Sequence, residues 1–319
     1  MPHILIAGKL HPSGLALLDQ TADVTYDHVE EISEASYQPY LEKADGMVIR
    51  TQPMGAASVA KGARLRIVSR HGVGYDAVDV AALNARGIPL CIVGDVNSVS
   101  VAEHAMMQIL ACAKQLIRSD AAVRTGPWGW RNKLEQGEVS GKCLLIIGYG
   151  RIGRHLARMA SGFGMNILAY DPYLMAHGWP EGPAASVADL ATGLAEADFV
   201  SVHIPKVDGP LISAAELTAM KRGAIIVNTA RGGIVDEAAL ADALRSGHIA
   251  AAALDVFDAE PPAPDHPLLA FDQVILTPHT AGLTREAAER MAIASVQNVL
   301  DHFAGRLDPA LIVNKDALK

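Results

Sequence analysis

The stretch CLLIIGYGRIGRHLARMASGFG, residues 143–164, runs from an apolar strand through a glycine turn into an amphipathic helix. Its glycines are spaced Gly148-x-Gly150-x-x-Gly153. The first permits a tight turn, the second lets backbone approach a pyrophosphate, and the third lets the helix pack closely on the strand. The start of that helix offers N–H groups and the positive end of its dipole to phosphates. A glycine motif alone is weak evidence, but here it has its strand, its helix and an acidic residue closing the next strand. That residue is Asp171, in LAYDP, 18 positions beyond Gly153. A carboxylate there accepts from ribose hydroxyls and repels a 2′-phosphate, so NAD(H) is expected over NADP(H).

Outward from this stretch, short apolar runs alternate with amphipathic segments. Upstream lie HILIAG (3–8), GMVIRT (46–51), LRIVSR (65–70) and IPLCIV (88–93). Downstream of CLLIIG (143–148) lie NILAYD (166–171), FVSVHI (199–204), AIIVNT (224–229), AAALDVF (251–257) and VILTPH (274–279). Near-continuous apolar strands separated by helices mean parallel sheet covered on both faces. The expected fold is α/β, with two doubly wound parallel-sheet domains. SVSVAEHAMMQILACAKQLIRSDAAV (98–123) reads as one long linker helix between them. TREAAERMAIASVQNVLDHFAG (284–305) reads as a helix returning the chain to the first domain. A discontinuous substrate domain, 1–98 plus 286–319, and a dinucleotide domain, 99–285, follow, with a cleft expected at their junction.

The totals narrow the function classes. The chain has 319 residues, half of them hydrophobic, without an apolar run near the roughly 18 residues that a membrane span needs. MPHILIAG lacks the basic start of a signal peptide and reads as a strand. The three cysteines share no metal-like spacing and suit a reducing compartment, so a cytoplasmic location and no metal are expected. A formal charge of −8 without charge blocks argues against nucleic acid as partner.

Polar residues fall where strands of the second series end: His203-Ile204-Pro205, Thr229-Ala230-Arg231, Asp255 and His279. In open α/β sheets the ligand crevice lies outside the carboxyl ends of the strands. Arg231, Glu260 and His279 are the residue types that reduction of a 2-oxo acid requires. A guanidinium holds a carboxylate with two parallel bonds and polarises the adjacent carbonyl. An imidazole donates a proton as the carbonyl is reduced and takes it back in reverse. A neighbouring carboxylate orients the ring.

These motifs resemble the D-isomer-specific 2-hydroxyacid dehydrogenases, the family of phosphoglycerate dehydrogenase and glyoxylate/hydroxypyruvate reductase. GYGRIG with Asp171, NTARGGIVDEAAL (228–240), ALDVFDAEPP (253–262) and LTPHTAG (276–282) carry the likeness, which spans essentially the whole chain. The resemblance implies a Rossmann dinucleotide domain, a flavodoxin-like substrate domain, and a homodimer formed through the dinucleotide domain. It makes Arg231 the substrate-binding arginine, Glu260 the partner of the histidine, and His279 the acid/base. It places Arg151 and Ile152 against the pyrophosphate and residues 203–205 beside the adenosine half. Thr229, Ala230, Asp255 and the turn His279–Gly282, with Ala281, surround the nicotinamide ribose and ring. Backbone N–H groups of Gly72, Val73 and Gly74 would meet the substrate carboxylate, and Arg50 a distal anion. Gln52 stands where a second basic residue often follows in phosphoglycerate dehydrogenases. A serine-feedback regulatory domain is not expected. Two rivals remain on the same fold: an NAD-sensing, corepressor-like scaffold and a formate dehydrogenase, the latter disfavoured because Glu260 is acidic.

Overall fold

A computed structural model of the chain describes residues 1–318. Two sheets organise it, each wholly parallel. The first joins β1 (His3–Ala7), β2 (Thr25–Val29), β3 (Gly46–Ile49), β4 (Ile67–Arg70) and β5 (Leu90–Cys91) in the order β2-β1-β3-β4-β5. The second joins β6 (Cys143–Ile147), β7 (Asn166–Tyr170), β8 (Ala184–Ser186), β9 (Phe199–Val202), β10 (Ala224–Asn228), β11 (Ile249–Leu254) and β12 (Val274–Leu276). Its order, β12-β11-β10-β9-β6-β7-β8, contains the dinucleotide-fold arrangement, with strand order reversing between β6 and β9. The first sheet has the flavodoxin-like order. The expected pair of doubly wound parallel sheets is what the chain forms. Among the described residues no helix is long and apolar enough to cross a membrane.

The chain divides into two compact units, residues 1–97 with 283–319, and residues 98–282. In the first, the helix Arg285–Phe303 lays Ala292, Val296 and Val299 against Ile4, Ile6, Val48 and Ile67 of the sheet. Each buried valine or isoleucine among them contributes roughly 1.5–3 kcal/mol. The approach is close enough that a Cβ on Gly46 would lie 2.6 Å from Val299 Cγ1. In the second unit, the helix Ser98–Ala113 packs Ala105, Ile109 and Cys112 into one cluster with Leu156 and Ala160 of the helix Arg151–Gly162.

Three details depart from the sequence reading. β2 and β8 were not expected, because both are sheet edges; β2 has no fully buried residue, so its polar TYDHV carries no strand-like apolar signal. The segment 98–123 is not one helix. It breaks at Gln115, whose backbone is left-handed (φ 47), into Ser98–Ala113 and Leu116–Thr125. The first piece is largely buried and belongs to the second unit; the second has no buried residue.

Candidate active site

Local geometry explains the first and last glycines of the 148–153 motif. Gly148 leaves β6 with φ +94, and a Cβ there would lie 2.5 Å from the His203 carbonyl oxygen. A Cβ on Gly153 would lie 2.3 Å from the Gly148 carbonyl oxygen, so helix and turn touch through backbone. Beside Gly150 there is nothing within 4 Å. The helix that begins at Arg151 takes no side-chain cap, whereas Asp171, Asp189, Ser213 and Asp236 cap the next four helices of this unit. Its first N–H groups therefore face open space at Gly150, between exposed Arg151 and half-buried Ile152, and a diphosphate fits there.

The residues around this cradle also suit a dinucleotide. Asp171 Oδ1 accepts from the Leu174 N–H at 3.1 Å and Oδ2 from the Tyr149 N–H at 2.9 Å. Both oxygens keep lone pairs for ribose hydroxyls. The His203 Nε2 lies 2.8 Å from Ser201 Oγ, while Nδ1 is enclosed with no partner among the described residues. Burial pushes that ring down to about 3, so it stays neutral. Ile204 lies against Gly148, and Pro205 is exposed. The buried Thr229 hydroxyl likewise lacks a partner among the described residues. Two orphaned polar atoms past the ends of neighbouring strands are what a bound ligand with hydroxyls or amides would satisfy.

β10, β11 and β12 are neighbours, and the loops after them carry Arg231, Asp255 with Glu260, and His279. Asp255, 1 % exposed, clamps the last of these loops. Its Oδ1 accepts from the Thr277 hydroxyl (2.5 Å) and the Thr280 N–H (2.9 Å), its Oδ2 from the Ala281 N–H (2.8 Å). Its carbonyl accepts from the His279 N–H at 2.8 Å. The clamp holds His279 at φ 52, a left-handed conformation that costs a non-glycine residue about 1–2 kcal/mol. Half-buried Gly282 ends the turn. His279 Nδ1 then meets Glu260 Oε2 at 2.8 Å, and Glu260 Oε1 accepts from the Phe257 N–H at 3.0 Å. With Nδ1–H given to the carboxylate, Nε2 is the nitrogen left for a reacting group. The pair stays reachable, with the His279 and Glu260 side chains 52 % and 38 % exposed.

Asn228, at the end of β10, shapes the arginine loop. Its Oδ1 accepts from the Ala230 N–H at 3.0 Å, and its Nδ2 donates to the Arg231 carbonyl at 2.9 Å. Arg231 Nη1 donates to the Ala230 carbonyl at 2.6 Å. Behind it, a Cβ on Gly232 would lie 1.8 Å from the Phe257 carbonyl oxygen. The loops bearing Arg231 and Glu260 are thus in direct backbone contact.

Sequence reasoning missed Asn228, Gly232 and the underside of the histidine turn. His104 has Nε2 at 3.0 Å from Thr277 Oγ1 and 3.7 Å from Asp255 Oδ1. Burial lowers its pKa while Asp255 raises it, and burial prevails. Gln108 Nε2 donates to the same Thr277 oxygen at 3.3 Å. The available signal was the His104/Gln108 spacing of four, which puts two polar groups on one face of an apolar helix.

The remaining candidates lie in the first unit. Arg50 follows β3 and is half-buried. Gly72 has φ +144, and its N–H donates to the Arg70 carbonyl at 2.9 Å. Val73 packs beside Val93, Ala287 and Met291, and Gly74 is half-buried in the same loop. Gln52 is buried, its Oε1 accepting from the Thr51 N–H and its Nε2 donating to the Glu31 carbonyl.

Residues 106–281 match the D-isomer specific 2-hydroxyacid dehydrogenase, NAD binding domain. The chain is 39 % identical over 315 residues to a D-3-phosphoglycerate dehydrogenase of Mycobacterium leprae, covering 97 % of this chain and 58 % of that one. It spans 50–58 % of the length of the phosphoglycerate dehydrogenases it matches. It is 37 % identical to a glyoxylate reductase of Aeropyrum pernix, covering all of this chain and 97 % of the relative. Among solved structures, the TT0316 protein of Thermus thermophilus superposes with a TM-score of 0.86 at 33 % identity, over 96 % of this chain and 98 % of that one. A dinucleotide cradle, a carboxylate-paired histidine and these likenesses converge: the chain belongs to the D-isomer specific 2-hydroxyacid dehydrogenase family.

Proposed function

We propose that this protein is an NAD-dependent D-2-hydroxyacid dehydrogenase that interconverts a small 2-oxo acid and its 2-hydroxy acid. The observation that carries the reading is the 2.8 Å pair of His279 Nδ1 with Glu260 Oε2 on a clamped turn. The 148–153 turn, Asp171, residues 203–205, Thr229 and Ala230 hold the cofactor. When bound, the nicotinamide supplies the reducing equivalents. Arg231 binds the substrate carboxylate and polarises the neighbouring carbonyl. His279 donates a proton from Nε2 to the carbonyl oxygen, and Glu260 orients the ring by accepting from Nδ1–H. A screen of NADH oxidation across 2-oxo acids tests this, and absence of turnover with every one would end it. The scaffold reading is not favoured, since the family relatives named above are enzymes.

Asp171 supports NAD(H) over NADP(H). Asp171→Ser removes the like charge that faces a 2′-phosphate, and is expected to raise the kcat/KM ratio of NADPH to NADH by at least about 10-fold. Parity between the cofactors in the unaltered protein would overturn the preference.

A homodimer built through the second unit fits its exposed apolar segment. Leu116, Ile117, Val123, Trp128 and Leu134 are 53–87 % exposed within one stretch. Apolar side chains grouped in this way mark an association surface. Light scattering should give twice the chain mass, falling to one chain in Ile117→Glu. Free Cys91, Cys112 and Cys143 suit a reducing, cytoplasmic setting.

A further inference from the structure

The loop that carries Glu260 runs from Asp258 to Asp265 without helix or strand, and all of its residues but Pro262 are exposed. Such a segment does not by itself fix a side chain, yet Glu260 Oε2 meets His279 Nδ1 at 2.8 Å. Both ends of the loop are tied to one carboxylate on another element. Glu237 is the first residue of the helix Glu237–Arg245. Its Oε1 accepts from the Asp258 N–H at 2.8 Å, and its Oε2 lies 2.8 Å from His266 Nε2. His266 Nδ1 accepts from the Leu268 N–H at 3.3 Å, so Nε2 carries the ring proton and donates to Glu237. The His266 ring also stands edge-on to Phe257, centroids 6.1 Å apart at 82°. Phe257 in turn gives its N–H to Glu260 Oε1. The helix start does not call on Glu237, because Asp236 Oδ1 already accepts from the Ala238 and Ala239 N–H groups. The His266 and Glu237 side chains are only 16 % and 14 % exposed. Withdrawing a carboxylate from water costs free energy, and its two charge-assisted bonds supply direction, one to each end of the loop.

We propose that Glu237 and His266 are a positioning pair for the reaction. They staple the two ends of the 258–265 loop and so hold Glu260 where it keeps the His279 ring with Nδ1–H toward the carboxylate and Nε2 free. The effect on rate rests on the dehydrogenase reading above; the effect on the ring does not. Neither residue touches a reacting atom. Without the staple the exposed loop gains conformational freedom, Glu260 spreads over several positions, and His279 loses the partner that sets its tautomer. A group that delivers a proton is sensitive to displacements of about 1 Å, so the loss falls on turnover.

Steady-state kinetics and NMR of the His279 ring nitrogens test this together. Glu237→Ala should lower kcat for 2-oxo acid reduction about 10-fold, while substrate KM and NADH affinity change by less than about threefold. His266→Ala, which leaves the helix start intact, should do the same. His266→Gln, whose amide nitrogen can still donate to Glu237, should recover most of the rate. In a Glu260→Ala background, adding Glu237→Ala should cost less than about twofold more, since the staple acts through Glu260 alone. Losses that multiply in the double variant, or that fall on KM instead of kcat, would overturn the proposal. The ring readout does not depend on turnover. At a pH where His279 is neutral, the unaltered protein should show the Nδ1–H tautomer, and Glu237→Ala and Glu260→Ala should both shift it toward Nε2–H. If no 2-oxo acid is reduced but the tautomer shifts, the dehydrogenase reading fails and the staple stands. A tautomer unchanged in both Glu237→Ala and His266→Ala overturns the staple, whatever the rates.

Discussion

Replacing His279 by alanine is expected to lower kcat/KM for 2-oxo acid reduction by about 10²–10⁴-fold, the range a positioned acid–base group supplies. The loss should appear in kcat as well as kcat/KM, because the proton is needed as the carbonyl is reduced and not when substrate binds. NADH affinity, measured by fluorescence titration, should hardly change, since the cradle at Gly148–Gly153 is built by backbone and by Asp171. Glu260→Gln separates position from charge. Glutamine can still accept from Nδ1, so the ring stays held, but the negative charge is gone. A milder loss, about 10-fold, is expected, short of that in His279→Ala. Unaltered turnover in His279→Ala would end the mechanism and the roles assigned around it.

The second large effect is expected at a residue that touches no reacting atom. Gly232→Ala puts a carbon 1.8 Å from the Phe257 carbonyl oxygen and 2.5 Å from the Asp258 nitrogen, both backbone atoms that cannot swing aside. One of the two loops must retreat by more than about 1 Å, and a displacement of that size costs on the order of 100-fold in rate. The retreat separates Arg231 from the segment that holds Glu260 against His279. Overpacking should also cost about 1–3 kcal/mol of stability, read as a lower melting temperature. Gly162→Ala is the control, because a Cβ there meets nothing within 4 Å. Activity of Gly232→Ala within threefold of the unaltered protein would show that the loops are not coupled as described.

Much of the fold was legible in the chain. The central strands are buried on both faces, so their runs are continuously apolar, and the glycine turn after β6 has a steric reason for Gly148 and for Gly153. The edge strands β2 and β8 were not legible, since they bury one face at most and bond to one neighbour. Nor was the break at Gln115, because helical periodicity on either side is unaffected by one left-handed residue.

For the site, residue type and placement after strand ends sufficed to nominate Arg231, Glu260 and His279, because the chemistry of a 2-oxo acid admits few side chains and parallel strands deliver them to one edge. Whether Glu260 and His279 meet across 19 positions was a matter of distance, and linear spacing carries none. Only the tertiary structure brought them to 2.8 Å, made Asp255 the clamp of the histidine turn, set His104 and Gln108 beneath it, and pressed Gly232 onto Phe257. The reason is physical. Composition and periodicity record which groups are apolar and on which face, whereas hydrogen bonds and steric contacts between loops depend on ångström-scale separations set by the packing of β10, β11 and β12 side by side.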